Sequence, residues 1–309
     1  MLRARAGLLA RIRGFFANRD ILEVETPLLC GAGITDPSIE PLVVERGSSL
    51  KRPRYLQTSP EYAMKRLLCA GAPDLYQVAR VFREGERGRN HNPEFTMVEW
   101  YRLGIDHHAL MRDVETLLRS LLAPLRPIPP SRTLTYSEAF RAELDVDPFE
   151  DATDEIEEVL RRRGLDVPSS LRDDRDGLLD LAMATAVAPA FAGDRITFIH
   201  DFPASQAALA RVNGPVASRF EAFWGGLELA NGFHELGDAA EQAGRFAADR
   251  AVRERRGQPA HDPDARFLAA LEAGLPACAG VALGFDRVMM IAADAQRIDD
   301  VVAFPTDLA

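Results

Sequence analysis

Apolar residues recur at helical spacing near the start of the chain, which predicts an amphipathic helix over residues 2–18. The positions that share this spacing are Leu8, Leu9, Ile12, Phe15 and Phe16. The run ILEVETPLL (21–29) is rich in β-branched and alternating residues, and it predicts a short strand that Pro27 ends.

Two strand-like runs, 75–84 and 95–102, flank a polar loop at 85–94. They predict an antiparallel pair, and 107–122 returns to a helical pattern. A ten-residue loop inside a compact domain is usually functional or disordered.

The second half of the chain mixes strands and helices without a regular βαβ order. The predicted elements are a strand at 195–203, a hairpin at 219–236, a helix at 240–257, a helix that Asp262-Pro263 opens, and a strand, turn and helix in GVALGFDRVMMIAA. Residues 136–192 read as a helical insertion. We therefore expect a single α+β domain over 1–309, with a mainly antiparallel sheet flanked by helices.

The composition of the chain argues against some classes of function. The chain has 309 residues, 47% of them hydrophobic, with 37 basic against 47 acidic side chains and a net charge of −10. This balance argues mildly against a large nucleic-acid surface. Cys30, Cys69 and Cys278 form no CxxC pair, so we expect reduced thiols in a cytoplasmic protein. Arginines interrupt the N-terminal apolar run, which excludes a signal h-region.

The 85–94 loop carries arginines, a histidine and asparagines, a composition suited to an anion. Arg83 at the end of the first strand offers a fork for phosphate oxygens, and Phe95 offers a flat face for a base. Phe95, Met97, Glu99 and Tyr101 alternate onto one face of the second strand. For such a loop alone, an exposed polar turn beside a core aromatic is the simpler interpretation.

Three glutamates, Glu221, Glu228 and Glu235, are seven residues apart. An odd spacing on one straight strand would send neighbours to opposite faces. A turn at Gly225-Gly226 would pair residue 223 with 228 and put Glu221 on the face of Glu228, where a magnesium ion would relieve the repulsion. A second break at Asn231-Gly232 would free Glu235. An acidic solvated face remains the alternative.

Arg287 follows Gly284 in the first turn of the last predicted helix, where a cation opposes the helix dipole and an anion is expected nearby. Ser59-Pro60-Glu61 reads first as a helix start. The sequence has no GxxxxGK[ST] loop and no GxGxxG fingerprint, which excludes P-loop and Rossmann sites.

These segments together resemble a known family. ILEVETPLL, FREGERGRNHNPEFTMVEWYR and GVALGFDR are similar to motifs 1, 2 and 3 of class II aminoacyl-tRNA synthetases, and HNPEFTM with ELANGFHEL resembles the lysyl-tRNA synthetase subgroup. Motif 1 begins near residue 21, so we expect no N-terminal anticodon-binding domain. That architecture resembles the elongation factor P (R)-β-lysyltransferases, truncated paralogues of lysyl-tRNA synthetase.

The resemblance implies the class II catalytic fold, a homodimer, ATP and Mg²⁺ as cofactors, and (R)-β-lysine or lysine as substrate. It implies elongation factor P as the acceptor, with no tRNA and no membrane. It assigns catalysis to Arg83 and Arg287. It assigns ATP binding to Arg83, Glu84, Gly85, His91, Asn92, Phe95, Glu228, Leu229, Gly284 and Arg287. It assigns the amino acid to Ser59, Pro60, Glu61, Tyr101, Glu235 and Ala282, and the metal to Glu221 and Glu228.

Two positions depart from the lysyl-tRNA synthetase pattern. Arg83-Glu84-Gly85 replaces Arg-Asn-Glu, so either Glu84 or Glu86 takes over the adenine contact or that contact is missing. Ala282 stands where glycine is usual, which would reshape the amino-acid pocket toward the β-amino isomer. Two other functions stay open: a tRNA-charging enzyme without an anticodon domain, and a non-enzymatic regulatory paralogue.

Overall fold

The computed structural model of the protein describes residues 1–44 and 53–309. The helices in these residues are α1 (Leu2–Ala17), α2 (Glu61–Cys69), α3 (His107–Leu122), α4 (Tyr136–Leu144), α5 (Thr153–Arg162), α6 (Arg175–Ala182), α7 (Ala239–Arg255), α8 (Ala265–Ala273) and α9 (Phe285–Ala293). The strands are β1 (Leu22–Glu23), β2 (Leu29–Cys30), β3 (Val43–Val44), β4 (Arg54–Leu56), β5 (Leu75–Phe82), β6 (Glu94–Leu103), β7 (Arg132–Thr135), β8 (Ile196–Pro203), β9 (Val212–Asn213), β10 (Val216–Trp224), β11 (Leu227–His234) and β12 (Cys278–Gly284).

Most of the strands form one sheet in the order β1-β5-β6-β12-β11-β10-β8-β7, and β9 pairs with β10. The middle of the sheet is antiparallel, whereas β1 with β5 and β7 with β8 are parallel. A small sheet has the order β2-β4-β3. The predicted α+β class with a mainly antiparallel sheet is confirmed.

Helices α1, α3 and α9 cover one face of the large sheet. Helix α1 buries Leu8, Ile12, Phe15 and Phe16, and only Leu9 of the predicted stripe is partly exposed. Together with α3 and α9, these side chains form the largest core cluster. Burial of this apolar surface is the main contribution that holds the three helices on the sheet.

Within residues 1–44 and 53–309, helices cover the opposite face at its two sides. Helices α4 to α6 share one core cluster with Ile199, Phe202 and Phe223 of the sheet, which favours a single domain that includes the predicted 136–192 insertion. Helix α2 packs beside β5 at the other side. Between these two covers, the sheet face carries polar side chains.

Two boundary predictions are wrong. Residues 21–29 are not one strand, because β1 joins the large sheet and β2 the small one. Pro27 lies between them, and its missing N–H leaves it no donor for a sheet ladder. The helix after Pro263 is capped by Asp264 rather than Asp262: the Asp264 carboxylate accepts from the N–H groups of Arg266 at 2.9 Å and Phe267 at 3.1 Å.

Among the described residues, no helix is both long and apolar enough to cross a bilayer. The three cysteines are free thiols, as the missing CxxC pair predicts.

The corrected cap gives a stability test. We expect Asp264→Ala to lower the free energy of unfolding by about 1 kcal/mol, because two N–H groups in the first turn of α8 lose their acceptor. Asp262→Ala is the matched control: its side chain is 93% exposed, so the change should stay within about 0.5 kcal/mol. Urea denaturation of both variants measures this, and equal losses would contradict the assignment.

Candidate active site

The polar face of the sheet consists of rows of paired residues. One row is Glu99, Ala282, Asn231 and Glu221, each paired with the next. The adjacent row is Tyr101, Gly280, Phe233 and Arg219. Because paired residues in a sheet point to the same side, four strands bring these side chains to one surface.

The hairpin of β10 and β11 contains a β-bulge. Phe223 pairs with Glu228, which confirms the register predicted from the glycine turn. The next residue, Ala222, pairs with Ala230, so Leu229 is an extra residue on β11. A bulge of this kind places two residues of one strand opposite one residue of its partner.

The bulge decides which glutamates share a face. Leu229 and Ala230 both lie in the core beneath the sheet. The extra residue shifts the alternation by one position, so Glu228, Asn231 and Glu235 all point to the polar face. The odd spacing of seven residues therefore becomes compatible with one site.

The predicted break at Asn231-Gly232 is wrong, because β11 continues through both residues. Gly232 pairs with Phe220 and Val281. A Cβ atom on Gly232 would lie 2.4 Å from the Phe220 ring and 3.0 Å from Val281. Glycine is required here for close packing beneath the sheet rather than for a turn.

Two arginines and a glutamate converge at one end of the polar face. The Arg287 Nη1 atom donates to the Glu228 carbonyl oxygen at 2.9 Å and to Oε2 at 3.2 Å. Burial opposes ionisation of Glu228, but Arg287, with further contributions from Arg83 and Arg219, holds its pKa below the ordinary value. Arg83 and Arg287 thus act on the same carboxylate.

Phe95 and His91 complete this end. The Arg83 guanidinium lies 5.2 Å from the centre of the Phe95 ring, and Nη1 lies 3.4 Å from Glu86 Oε1. Arg287 Nη2 lies 2.7 Å from His91 Nε2. Burial and the Arg287 charge lower the pKa of His91. A neutral His91 imidazole can therefore accept a hydrogen bond from Arg287 Nη2. Cations and a partly exposed aromatic ring therefore lie side by side, as a nucleotide requires.

Glu221 and Glu228 form a carboxylate pair. Arg219 Nη2 donates to Glu221 Oε1 at 2.6 Å. Burial raises the pKa of Glu221 to about 7, and the neighbouring Glu228 adds to the rise while Arg219 opposes it. Two carboxylates in mutual repulsion form an all-oxygen donor set, which fits a magnesium ion.

The other end of the polar face is an acidic pocket around a buried lysine. Lys65 Nζ lies 2.6 Å from Glu61 Oε1 and 2.5 Å from Glu235 Oε2. The Tyr101 hydroxyl donates to Glu99 Oε1 at 2.7 Å, and these contacts are buried. The Ser59 hydroxyl donates to Glu99 Oε2 at 2.7 Å.

Glu61 and Glu235 therefore contact one ammonium, and the charges of Glu61 and Lys65 also act on the nearby Glu99 carboxylate. Burial raises the pKa of Glu235 to about 8 and that of Glu99 to about 7, in both cases with a further rise from Glu61 and against the Lys65 charge. Burial alone would lower the pKa of Lys65, but Glu235 and Glu61 raise it well above its ordinary value. The pocket thus keeps its lysine charged and retains protons that a second cation would displace.

Gly280 and Ala282 shape the floor between the two ends. A Cβ atom on Gly280 would lie 2.2 Å from the Tyr101 ring and 2.4 Å from Glu235 Oε1, so only glycine leaves room for both side chains. Ala282 pairs with Glu99 on one side and Asn231 on the other. Its methyl group therefore lies on the floor beside the acidic pocket.

Two of the predicted ATP-binding residues, Asn92 and Leu229, have side chains that are buried away from the polar face. The Asn92 amide nitrogen donates to the Glu94 carbonyl, and its amide oxygen accepts from Thr306, so this side chain holds the loop. The Leu229 side chain lies in the core, and only its carbonyl faces Gly284.

Glu84 and Glu86, the two acidic candidates for the adenine contact, lie in different environments. Glu84 is exposed, and its backbone N–H donates to the Glu40 carbonyl. Gly85 has a φ of 77°, which turns the loop. Glu86, rather than Glu84, contacts Arg83. Pro60 is the buried N-cap of α2, where it directs Glu61 into the pocket.

Sequence reasoning assigned no role to Glu99, Lys65 or Arg219. Glu99 shares a strand face with Tyr101, and Lys65 is four residues after Glu61 on a helix, so both had a local signal. The contact between Lys65 and Glu235 joins residues 170 positions apart and had none. Arg219 alternates onto the face of Glu221, two residues away.

A cavity of about 870 Å³ opens beside the carboxylate pair, between the insertion and α7. Its lining includes Tyr62, Asp180 and Arg219. Arg219 also binds Glu221, so the cavity borders the polar face. The volume is within the range of small-molecule sites.

The chain is similar in sequence to known proteins. The sequence model of the family described as tRNA synthetases class II (D, K and N) matches residues 1–308. Proteins named elongation factor P–(R)-β-lysine ligase are 47% identical in Vibrio cholerae and 47% identical in Klebsiella pneumoniae, over 98% and 99% of this chain and 94% of each relative. The protein of that name in Vibrio vulnificus is 46% identical over 100% of this chain and 96% of its own length.

Proposed function

Because the chain belongs to the class II tRNA synthetase family (D, K and N), we propose that it is an ATP-dependent ligase. It joins (R)-β-lysine, or lysine, to a lysine side chain of elongation factor P, as the names of its relatives suggest. One observation carries the proposal. Arg83, Glu228 and Arg287 converge at one end of a polar face whose other end is an acidic pocket.

The end with the two arginines would bind ATP. Phe95 would stack on adenine, Arg83 would contact the α-phosphate, and Arg287 with His91 would hold the γ-phosphate end. Glu86 is the acidic residue placed to approach the adenine amino group, because it already contacts Arg83. Gly284 lets the backbone of the α9 N-terminus approach the nucleotide.

Glu221 and Glu228 would hold magnesium, which neutralises charge on the triphosphate when bound. Each carboxylate is paired with an arginine in the structure. If magnesium takes the place of Arg287 as the partner of Glu228, the Arg287 guanidinium becomes free to bind phosphate. Ligand binding is therefore an exchange of ion pairs rather than a burial of new unpaired charge.

The acidic pocket would bind the amino groups of the substrate. Glu61, Glu235 and Tyr101 supply acceptors, and Glu99 adds a further carboxylate. Charge-assisted hydrogen bonds of this type are roughly twice as strong as neutral ones. An analogue without the second amine would leave a buried carboxylate unpaired, which the pocket should reject strongly.

The reaction has two steps. A carboxylate oxygen of the amino acid attacks the α-phosphorus of ATP, pyrophosphate leaves, and Arg83 stabilises the charge that develops on the α-phosphate. The acceptor amine then attacks the carbonyl carbon of the mixed anhydride, AMP leaves, and the new amide nitrogen loses a proton. Catalysis is by position and electrostatics, with no covalent intermediate on the protein.

A homodimer would form through the segment around β1 to β3. Large apolar side chains are exposed there: Leu22 at 50%, Leu28 at 43%, Leu29 at 43% and Val43 at 44%. Adjacent exposed apolar residues favour a protein interface. We place this ligase in the cytoplasm, where its acceptor and ATP would be available.

The first prediction concerns Arg83. We expect Arg83→Ala to lower amino-acid-dependent ATP–pyrophosphate exchange by about 10²-fold or more, because the α-phosphate loses its guanidinium in the transition state. Arg80→Ala is the matched control, since Arg80 lies on β5 three residues before Arg83, with a side chain that is 49% exposed. Unchanged exchange in Arg83→Ala would refute its role, and no exchange in the wild type would favour a non-enzymatic paralogue.

The second prediction concerns the acceptor. With ATP, Mg²⁺ and labelled (R)-β-lysine or lysine, we expect label on elongation factor P and none on tRNA, since a net charge of −10 opposes a nucleic-acid partner. Elongation factor P with methylated lysine side chains is the control and should stay unlabelled. Label on tRNA instead would identify a tRNA-charging enzyme.

The third prediction concerns protons. The pKa values of about 7 for Glu99 and about 8 for Glu235 mean that the free pocket holds protons at pH 7. A diamino acid favours the ionised carboxylates, so its binding should release about one proton at pH 7 and tighten as pH rises from about 6 to 8. Calorimetry in buffers of different ionisation enthalpy measures the release.

Glu235→Gln should reduce this proton release, and norleucine, which lacks the second amine, should release fewer protons in the wild type. A binding enthalpy that does not depend on the buffer at pH 7 would contradict the assigned charges.

A further inference from the structure

Four of the six histidines of the chain gather on the other side of the sheet from the cleft. His107 and His108 are the first residues of α3, and their ring centres are 4.1 Å apart. The His200 ring centre lies 5.1 Å from that of His108, and the His234 ring centre 6.4 Å from that of His107. Asp201 completes the group at the end of β8.

Two histidines of this cluster, His107 and His200, have buried ring nitrogens without a hydrogen-bond partner among the described residues. His107 is only 7% exposed, and neither of its ring nitrogens has a hydrogen-bond partner among the described residues. The His107 Nε2 atom is 3.9 Å from Asp201 Oδ1, and His200 Nδ1 is 3.1 Å from Oδ2 without hydrogen-bond geometry. Buried polar side chains normally have partners, so an orphaned imidazole indicates a missing ligand.

One donor atom from each of His107, His108 and Asp201 lies within 4.8 Å of the other two. We propose that these three residues bind a divalent transition-metal ion of the zinc type. Two imidazoles and a carboxylate are the donors that Zn²⁺ and Co²⁺ favour, whereas Mg²⁺ and Ca²⁺ prefer oxygen ligands alone. His200 Nδ1 lies 3.1 Å from Oδ2 of the Asp201 carboxylate, at the edge of this set of donors.

The donors need only a small closure to bind the ion. Zinc lies about 2.0–2.2 Å from each ligand, so tetrahedral donors are about 3.4 Å apart. His108 is exposed, and rotation of its side chain can supply this closure. The fourth position is left to solvent or to His200.

The site is separate from the cleft for a structural reason. His200 pairs with Phe220, whose side chain belongs to the core beneath the sheet, and His234 alternates with Glu235. The histidines therefore face α3, whereas Glu221, Glu228 and Glu235 face the cleft. The ion would join the start of α3 to the end of β8 and stabilise that contact, independently of the proposed ligase function.

The test uses the full chain with Co²⁺ and Zn²⁺ chloride as probes. We expect one Co²⁺ to bind with the visible d–d absorption of a tetrahedral site, and Zn²⁺ to displace it and raise the midpoint of thermal unfolding. His108→Ala and Asp201→Asn should each weaken Co²⁺ binding by about tenfold or more. Asparagine tolerates the φ of 60° at position 201, so this variant keeps the backbone.

Controls separate this site from the cleft. Arg112→Ala, an exposed change one turn further along α3, and Glu221→Gln should keep the Co²⁺ absorption. His108→Ala should keep the pyrophosphate exchange rate of the wild type, which also reports that it is folded. Absence of Co²⁺ absorption in the wild type, or a Co²⁺ affinity of either His108→Ala or Asp201→Asn equal to that of the wild type, would overturn the proposal.

Discussion

The cleft depends on one extra residue in β11. Without the bulge at Leu229, strict alternation would place Glu228 and Glu235 on opposite faces. One of these carboxylates would then be buried among the apolar side chains beneath the sheet, where an unpaired charge is strongly destabilising. Because of the bulge, Glu228 and Glu235, which are seven residues apart in the chain, point to the same face of the sheet.

The resulting surface is organised by charge. At one end, Arg287 and Arg219 pair with Glu228 and Glu221, and at the other a single lysine is shared between Glu61 and Glu235. The first end has cations that can transfer to phosphate, and the second has an excess of acceptors that can take up ammonium groups. The free structure thus stays stable because its charges are partly paired with each other and partly protonated, and ligands replace those partners.

Sequence patterns predicted local features well. The bounds of α3, the β5–β6 pair and the Phe223–Glu228 register follow from periodicity and the glycine turn, because these features involve neighbouring residues. The break at Asn231-Gly232 was predicted wrongly. Glycine is needed at position 232 because the Phe220 ring of the neighbouring strand leaves no room for a Cβ atom, and not because the chain turns there. Lys65 was missed for a similar reason: its partner Glu235 is remote in sequence, and a buried lysine between two glutamates looks like an ordinary surface helix residue until the fold is known.

The same alternation that builds the cleft separates it from the histidine cluster. His234 and Glu235 are adjacent in sequence, yet they serve opposite faces, one toward α3 and one toward Lys65. A shift of β11 by one residue would exchange them, moving an imidazole into the acidic pocket and a carboxylate toward α3. Pairing of β11 with β10 and β12 on both sides resists such a shift. The register of one strand therefore decides which of these two side chains faces α3 and which faces Lys65.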